Sequence, residues 1–524
     1  MALSIKPFST RVMNLGHFLT QSAERMGEKP AIIRGGHTVT FKQMNKRVNA
    51  VCHSLSKLGV KKGDRILVQS RNSFSMFESM FAAFKLGAVW VPVNFRLSED
   101  EVAFIAKNSG STVLAYDPVF KAHRDAAMES GDIEHVIALG EADADELTWD
   151  ELAQNGEYFV ECDAERDDPC WFFFTSGTTG RPKAAVLTHG QMGFVITNYL
   201  ADLFPGLGDG DASIVVAPLS HGAGIHQIAQ VARGVVSVLP EGNRFDVEQV
   251  FSLIEQHRIT NAFTVPTIMK TMVDSDAVDR YDHSSLRHLV YAGSPTFRVD
   301  QQKALEKLGN CIVQYSGLGE VTGNITVFPS HLHHIDDAIQ GRVGTCGYAR
   351  SGMQVQVQGD DGTVLKRRET GELCVTGPAV FAGYYNNQEA NEKAFRNGWF
   401  RTGDRGHMDE EGFVYITGRE SDMYISGGSN IYPREIEEKL MQYEYLSDCA
   451  VVGLPDEKWG EIGAVAVVPK SGFDRDEFAA WMSNIIASYK VPRRVEVFDD
   501  LPKSGYGKVT KNLVREAILA RYET

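Results

Sequence analysis

The sequence predicts a large N-terminal α/β region, a small C-terminal α+β domain, and a β-barrel-like subdomain between them. The large region is expected to hold parallel-type sheets covered by helices. Three observations carry that expectation. Up to about residue 340, short β-branched strands alternate with helical stretches, the pattern of parallel sheets under helices. From about residue 345 the texture changes to short strands and tight turns. A polar stretch, "GRESDMYISGGSN" (418–430), then precedes about a hundred further residues, enough for a core of their own.

In chain order, "SMFESMFAAFKLGA" (75–88) reads as an amphipathic helix and "VWVPVN" (89–94) as the strand after it. The strands "EHVIALG" (134–140), "ASIVVAPL" (212–219), "GVVSVLP" (234–240) and "RHLVYAG" (287–293) follow, with "DVEQVFSLIEQHRI" (246–259) as an intervening helix. Trp171 to Phe174 form an apolar run that reads as a buried strand, and a glycine-rich segment comes straight after it. Ligands of α/β folds bind beyond the carboxyl ends of strands, so that segment is well placed for one. "GMQVQVQGDDGTVL" (352–365), "GELCVTG" (371–377) and "GFVYITG" (412–418) read as antiparallel strands. In "PREIEEKLMQY" (433–443), Pro433 opens a helix, acidic residues suit its N-terminus, and Ile436, Leu440 and Tyr443 share one face. The domain boundary falls at Asp422, dividing the chain into 1–421 and 422–524.

Composition narrows the partners. The 524 residues are 43% hydrophobic and 23% charged, ordinary for a globular protein of two or more domains. A net charge of −15 argues against nucleic acid or an anionic membrane surface as the main partner. No apolar run reaches the length of a membrane span, and "MALSIKPFSTRVMNLGHF" lacks the apolar segment of a secretory signal. Seven scattered cysteines, without a C-x-x-C pair, indicate neither a disulfide framework nor a zinc site. These features predict a cytoplasmic protein. An anionic ligand would need positive charge concentrated locally against the global field.

Segment 175–190, "TSGTTGRPKAAVLTHG", concentrates suitable donors. Backbone N–H groups around Gly177 and Gly180, with the hydroxyls of Thr175, Ser176, Thr178 and Thr179, make a cradle for phosphate oxygens. Lys183 and Arg181 add charge. Composition alone leaves a plain surface loop open as well. The Walker A spacing fails, because Gly180 is followed by Arg-Pro-Lys.

The order T-S-G-T-T-G-x-P-K is far more specific. It resembles the phosphate-loop signature of the adenylate-forming superfamily: acyl-CoA synthetases, peptide-synthetase adenylation domains and firefly-type luciferases. Further motifs follow in family order over essentially the whole chain. "YAGSP" (291–295) resembles the turn beside the adenine, which gives Ala292, Gly293, Ser294 and Pro295. "SGLGE" (316–320) stands at the segment whose glutamate holds Mg²⁺. The resemblance thus puts Ser316, Gly317, Leu318 and Gly319 beside the nucleotide and makes Glu320 the metal ligand, helped by Thr175. "GWFRTGD" (398–404) implies that Asp404 accepts hydrogen bonds from the ribose hydroxyls. "GRESDMYISGGSNIYPREIE" (418–437) resembles the hinge and second glycine loop. There Arg419 is implied near ribose and phosphate, Asp422 at the hinge, and Ser426, Gly427 and Gly428 in the loop. "LPKSGYGKVTK" (501–511) carries the implied catalytic lysine, Lys508, and "DEKWGE" (456–461) resembles a coenzyme A-binding stretch. Trp459 in that stretch either stacks on coenzyme A or belongs to the core.

The resemblance implies a reaction in two halves. A carboxylic acid attacks the α-phosphorus of ATP, releasing pyrophosphate and giving an acyl-adenylate; a thiol, here coenzyme A, then displaces AMP. Two anions must meet, so catalysis is mostly positioning and electrostatic stabilisation. Lys183, Arg401, Arg419 and Lys508 are expected to supply the local positive charge. Both halves share one site, and the family rotates its small, mobile C-terminal domain between them. Only sixteen residues follow Lys508, which favours coenzyme A over a carrier protein as acceptor. A homodimer is compatible with this reading.

"PLSHGAGIHQ" (218–227) resembles the segment that opens the acyl pocket, with His221 at the gate. Gly222, Ala223 and Gly224 remove bulk, so a ring or a short to medium chain is the expected substrate. His226 is left either pairing with a second carboxylate or making a structural hydrogen bond. The doublet His333–His334 reads as surface. Two departures from the family pattern stand out. Ser316 replaces an aromatic residue over the adenine, with Tyr315 one position earlier and pointing differently, and Gly319 replaces a threonine near the α-phosphate. Gly319→Thr is therefore expected to restore a hydroxyl. The departures also leave open a second reading, a nucleotide-binding relative with little ligase activity.

Overall fold

The computed structural model describes residues 10–143, 145–154, 156, 158–175, 181–242, 244–294, 296–503 and 509–522. A six-stranded sheet runs in the order Lys183–Thr188, Pro169–Thr175, Val89–Val93, Arg65–Gln69, Val113–Tyr116, His135–Ala138. All its neighbours are parallel except the first pair. A nine-stranded sheet has a parallel middle in which His288–Tyr291 lies between Asn261–Thr264 and Ile312–Ser316. Parallel strands buried on both faces need apolar side chains throughout, and Val89 to Val93 are all buried. Trp90 and Trp171 meet edge to face at 4.6 Å in the shared core.

The helix Phe74–Leu86 differs from its amphipathic expectation: every residue from Met76 to Leu86 is buried. Its two charges are matched inside. Glu78 accepts from Arg47 Nε at 2.6 Å and Trp149 Nε1 at 2.8 Å. Lys85 donates to Thr20, Asn45 and Asn49 at 2.8, 2.6 and 2.8 Å. A buried ion is tolerated only when its hydrogen bonds are satisfied in this way.

Beyond residue 350, Gln354–Gln358, Gly371–Thr376, Trp399–Met408, Phe395–Arg396 and Val414–Arg419 form a five-stranded antiparallel sheet, the expected barrel-like part. The C-terminal residues build a second five-stranded sheet around the long hairpin Leu446–Asp456 and Gly460–Pro469. Helices Pro433–Leu440 and Arg475–Ile485 cover one face through Ile436, Leu440, Phe478 and Met482. Helix Lys511–Ala520 contributes Val514 and Ile518 to the core of the other face. Tyr443 lies past its helix and packs 4.9 Å from Trp481. No described helix is long and apolar enough to cross a membrane.

Candidate active site

The glycine-rich segment joins two antiparallel strands, not a strand to a helix. Lys183 pairs directly with Thr175, so the two chain ends of the loop are clamped side by side. Ser176, Gly177, Thr178, Thr179 and Gly180 lie outside the described residues. At its carboxyl end Thr175 donates its hydroxyl to Glu320 Oε1 at 3.0 Å. Glu320 sits in the 3-10 turn Gly319–Val321 after strand Ile312–Ser316 and is 7% exposed. Tyr384 donates to the same carboxylate oxygen at 2.8 Å. Burial and the Glu320 charge push the Tyr384 phenol pKa up, which keeps it a donor.

Tyr384 is a site residue that sequence reasoning missed. Residues 382–385 run along the free edge of strand Lys183–Thr188, with Val186 N–H donating to Gly383 and Tyr385 N–H to Ala184, both at 2.9 Å. That pairing delivers Tyr384 to Glu320 and places its ring under Lys183, whose Nζ is 4.8 Å from the ring centroid. The only signal in the sequence is the aromatic doublet after Gly383.

Ala292, Gly293 and Ser294 follow strand His288–Tyr291; Ala292 is buried, while Gly293 and Ser294 are exposed. Gly293 holds φ +96°, a conformation that side chains disfavour. Pro295 lies outside the described residues. Successive strand residues face opposite ways, so Tyr315 points into the interior and Ser316 away from it. Gly317 packs so tightly on Gly323 that a Cβ there would lie 2.4 Å from its Cα. Leu318 packs against the large core.

The room at Gly319 is already taken. A Cβ would lie 2.7 Å from the Phe173 ring and 2.8 Å from Thr175 Cγ2. The expectation that a threonine would fit there is overturned. Phe173 in turn meets the His221 ring edge on at 5.4 Å. His221 precedes helix Gly222–Arg233, with Nδ1 2.9 Å from the Ser220 hydroxyl. His221, Phe173, Gly319 and Thr175 therefore form one continuous wall.

The glycines after His221 do not open a space. A Cβ on Gly222 would meet Phe263 at 2.9 Å, and one on Gly224 would meet the Leu219 carbonyl oxygen at 2.1 Å. Ala223 is buried too. His226 is 1% exposed and stacks on Phe263 at 4.4 Å; burial holds its pKa well below the usual histidine value. His333 is buried, not at the surface: Tyr291 OH lies 3.1 Å from Nε2 and the Pro329 carbonyl 3.0 Å from Nδ1.

Asp404 and Arg419 are cross-strand neighbours, with Arg419 Nε donating to Asp404 Oδ1 at 3.1 Å. Asp404 is 8% exposed; burial raises its pKa, and Arg419 works against that. Arg401 is already paired with Glu372 at 2.8 Å, so its charge is compensated where it stands. Asp422 ends a 3-10 turn, Glu420–Asp422, directly after strand Val414–Arg419.

Ser426 pairs with Ser429 across a two-residue hairpin turn in which Gly427 (φ +57°) and Gly428 (φ +82°) are both left-handed. Such a turn follows strand twist and strongly favours glycine. Gly427 also rests on Trp459, whose ring a Cβ would approach to 2.8 Å. Trp459 is half-buried, between the Arg493 guanidinium at 4.5 Å and Lys458 Nζ at 5.3 Å. Lys508 lies outside the described residues. Among those described there is no cluster of three or more His, Cys, Asp or Glu able to hold a metal. The Glu320 carboxylate and Thr175 hydroxyl nevertheless fit a hard cation that takes most of its oxygens from phosphates and water.

The AMP-binding enzyme family matches residues 19–385 and the AMP-binding enzyme C-terminal domain matches residues 435–508. A feruloyl-CoA synthase of Amycolatopsis sp is 35% identical over 509 residues, covering 96% of this chain and 99% of that protein. A long-chain-fatty-acid–CoA ligase of Mycobacterium tuberculosis is 34% identical over 516 residues, covering 96% and 98%. The o-succinylbenzoate CoA synthetase of Bacillus subtilis, solved with its acyl-adenylate intermediate, superposes with a TM-score of 0.83 at 28% identity over 96% and 98% of the two chains. The chain belongs to the AMP-binding enzyme family and is an AMP-forming acid–CoA ligase of the adenylate-forming superfamily.

Proposed function

We propose that this ligase converts an aromatic or short- to medium-chain carboxylic acid to its acyl-CoA in the cytoplasm, with Mg²⁺ as the metal. The observation that carries the residue roles is the convergence of Thr175, Glu320, Tyr384 and Lys183 on one point beside the phosphate loop. Glu320 and Thr175 hold the Mg²⁺, which supplies charge neutralisation at the phosphates. Thr175, Ser176, Gly177, Thr178, Thr179, Gly180 and Lys183 bind the pyrophosphate end of ATP. Residues 292–295 and 316–319 flank the adenine, and Asp404, oriented by Arg419, accepts from the ribose hydroxyls. His221 gates the acid, and Lys508 bridges its carboxylate and the α-phosphate.

The chain divides at Asp422 into 1–421 and 422–524, and the small unit turns about that residue between the half-reactions. Ser426, Gly427 and Gly428, backed by Trp459, then replace Lys508 at the thiol channel. Seven free cysteines are in keeping with a reducing compartment. Pyrophosphate and AMP release across a panel of aromatic, short, medium and long-chain acids tests the reading. ADP and phosphate as products would contradict it. Turnover confined to long-chain acids would overturn the substrate class alone.

A further inference from the structure

Behind the start of helix Gly222–Arg233 lies a set of buried polar groups that the chemistry above does not use. Arg350 follows the short strand Tyr348–Ala349 and is 1% exposed. None of its three guanidinium nitrogens meets a hydrogen-bond acceptor among the described residues. Its ion pair with Asp202 is long, Nε to Oδ2 at 3.6 Å, and the same carboxylate also accepts from the Ser351 backbone N–H at 2.9 Å and hydroxyl at 2.8 Å. The cation lies against two aromatic rings, 4.6 Å from the Tyr199 centroid and 5.8 Å from that of Tyr315.

Two neighbours share this condition. His226 stacks on Tyr315 at 5.8 Å, and neither of its ring nitrogens has a partner among the described residues. Asn324, fully buried, likewise has none for its amide oxygen or nitrogen. It precedes Ile325, whose carbonyl accepts the Arg350 backbone N–H at 3.0 Å. Leaving so many buried polar groups without hydrogen bonds inside the protein is strongly unfavourable, and contact with aromatic faces recovers only part of it.

These groups lie one layer behind the acyl gate. A Cβ on Gly222, the residue after His221, would touch the Phe263 ring and lie 3.6 Å from the Tyr315 hydroxyl. Tyr315 and Phe263 thus form the wall between His221 and Arg350. We propose that Arg350 recognises a second carboxylate at the far end of the acid, received between Tyr315 and His226. The proposal rests on the acid–CoA ligase reading of the same site. A carboxylate presents two coplanar oxygens to the guanidinium fork. Neutral His226 adds one N–H donor, and the aromatic rings suit an aryl or unsaturated spacer. An acid ending in a methyl group would leave those donors unpaired and be rejected.

The test is pyrophosphate release with acids matched in length, one member of each pair ending in carboxylate and the other in methyl. The unaltered enzyme is expected to prefer the diacid by roughly ten- to hundredfold in kcat/KM. Arg350→Met, which keeps volume without charge, should erase that preference by raising KM for the diacid while KM for ATP holds. Arg350→Lys should retain part of it. A preference for the monoacid, or none, in the unaltered enzyme overturns the proposal even if Arg350→Met fails to fold. An equal loss on both acids in a folded Arg350→Met also overturns it and makes Arg350 structural. Pyrophosphate release with no acid at all would count against the ligase reading instead.

Discussion

Thr175 and Glu320, 145 positions apart in the chain, meet through a 3.0 Å hydrogen bond at the carboxyl ends of strands from different sheets. Tyr384 closes on the same oxygen, so the carboxylate is oriented before any ligand arrives. A charge-assisted hydrogen bond contributes about 1.5–3 kcal/mol. Tyr384→Phe is therefore expected to lower kcat/KM for ATP roughly ten- to hundredfold and to raise the Mg²⁺ concentration needed for half-maximal rate. Glu320→Gln should cost more, on the order of hundredfold or above. Initial rates of pyrophosphate release at varied Mg²⁺ measure both; an unchanged Mg²⁺ requirement in both variants would remove the metal from Glu320.

The proposed two-state mechanism gives Lys508 and Asp422 separate roles. Lys508→Ala should nearly abolish adenylation yet leave conversion of supplied acyl-AMP to acyl-CoA mostly intact. Asp422→Pro should do the reverse, because proline restricts φ where rotation is needed. Loss of about 3–4 kcal/mol of transition-state stabilisation corresponds to roughly 10²–10³ in rate. Each half-reaction is measured alone on each variant. Equal slowing of both halves by both changes, with the fold intact, would rule out the rotation assignment.

Phe173 and Gly319 are matched in size, so Gly319→Thr should now reduce ATP use and stability, not improve them. Overpacking of this kind costs about 1–3 kcal/mol. Phe173→Leu placed in the same chain should recover part of the loss by vacating the ring's space, while the contact with Thr175 Cγ2 remains. Thermal unfolding and ATP-dependent rates of the two single variants and the double variant decide it; strict additivity would mean the residues do not contend for that volume.

Burial of His189 and His333 sets the direction of their own contributions to the pH dependence of stability. Burial pushes each pKa down to about 4. Between that value and about 6.5 only the unfolded chain takes up the proton, so stability falls as pH drops through this window. Asp448, pushed up to about 6 by burial, acts oppositely, since below pH 6 the folded chain protonates first. The comparison of His333→Gln with the unaltered chain isolates one term: its stability should fall less on acidification, by about 1.4 kcal/mol per pH unit. Denaturant titrations at pH 7, 6 and 5 measure the difference.

The strand-end placement of residues on one continuous strand–loop unit was legible in the sequence. Thr175, Ala292 to Ser294, and Glu320 sit where strand ends put them, because strand and loop are local properties. Tyr384 was not, since its place depends on residues 382–385 pairing with a strand about two hundred positions earlier. Gly222 and Gly224 misled for a related reason. A missing side chain reads as space, but neighbours from distant segments, Phe263 and Leu219, fill it. His333 looked exposed because polar doublets usually are; the Tyr291 hydroxyl and Pro329 carbonyl supply the partners that let it be buried.

Because Thr175, Glu320 and Tyr384 come from segments 145 and 64 positions apart, no fragment ending before residue 384 can carry the assembled carboxylate. Contacts of such long sequence separation form late and slowly. During synthesis the phosphate loop leaves the ribosome long before its partners do. The oriented carboxylate therefore cannot be assembled on the nascent chain until Tyr384 has emerged and residues 382–385 have paired with the Lys183–Thr188 edge.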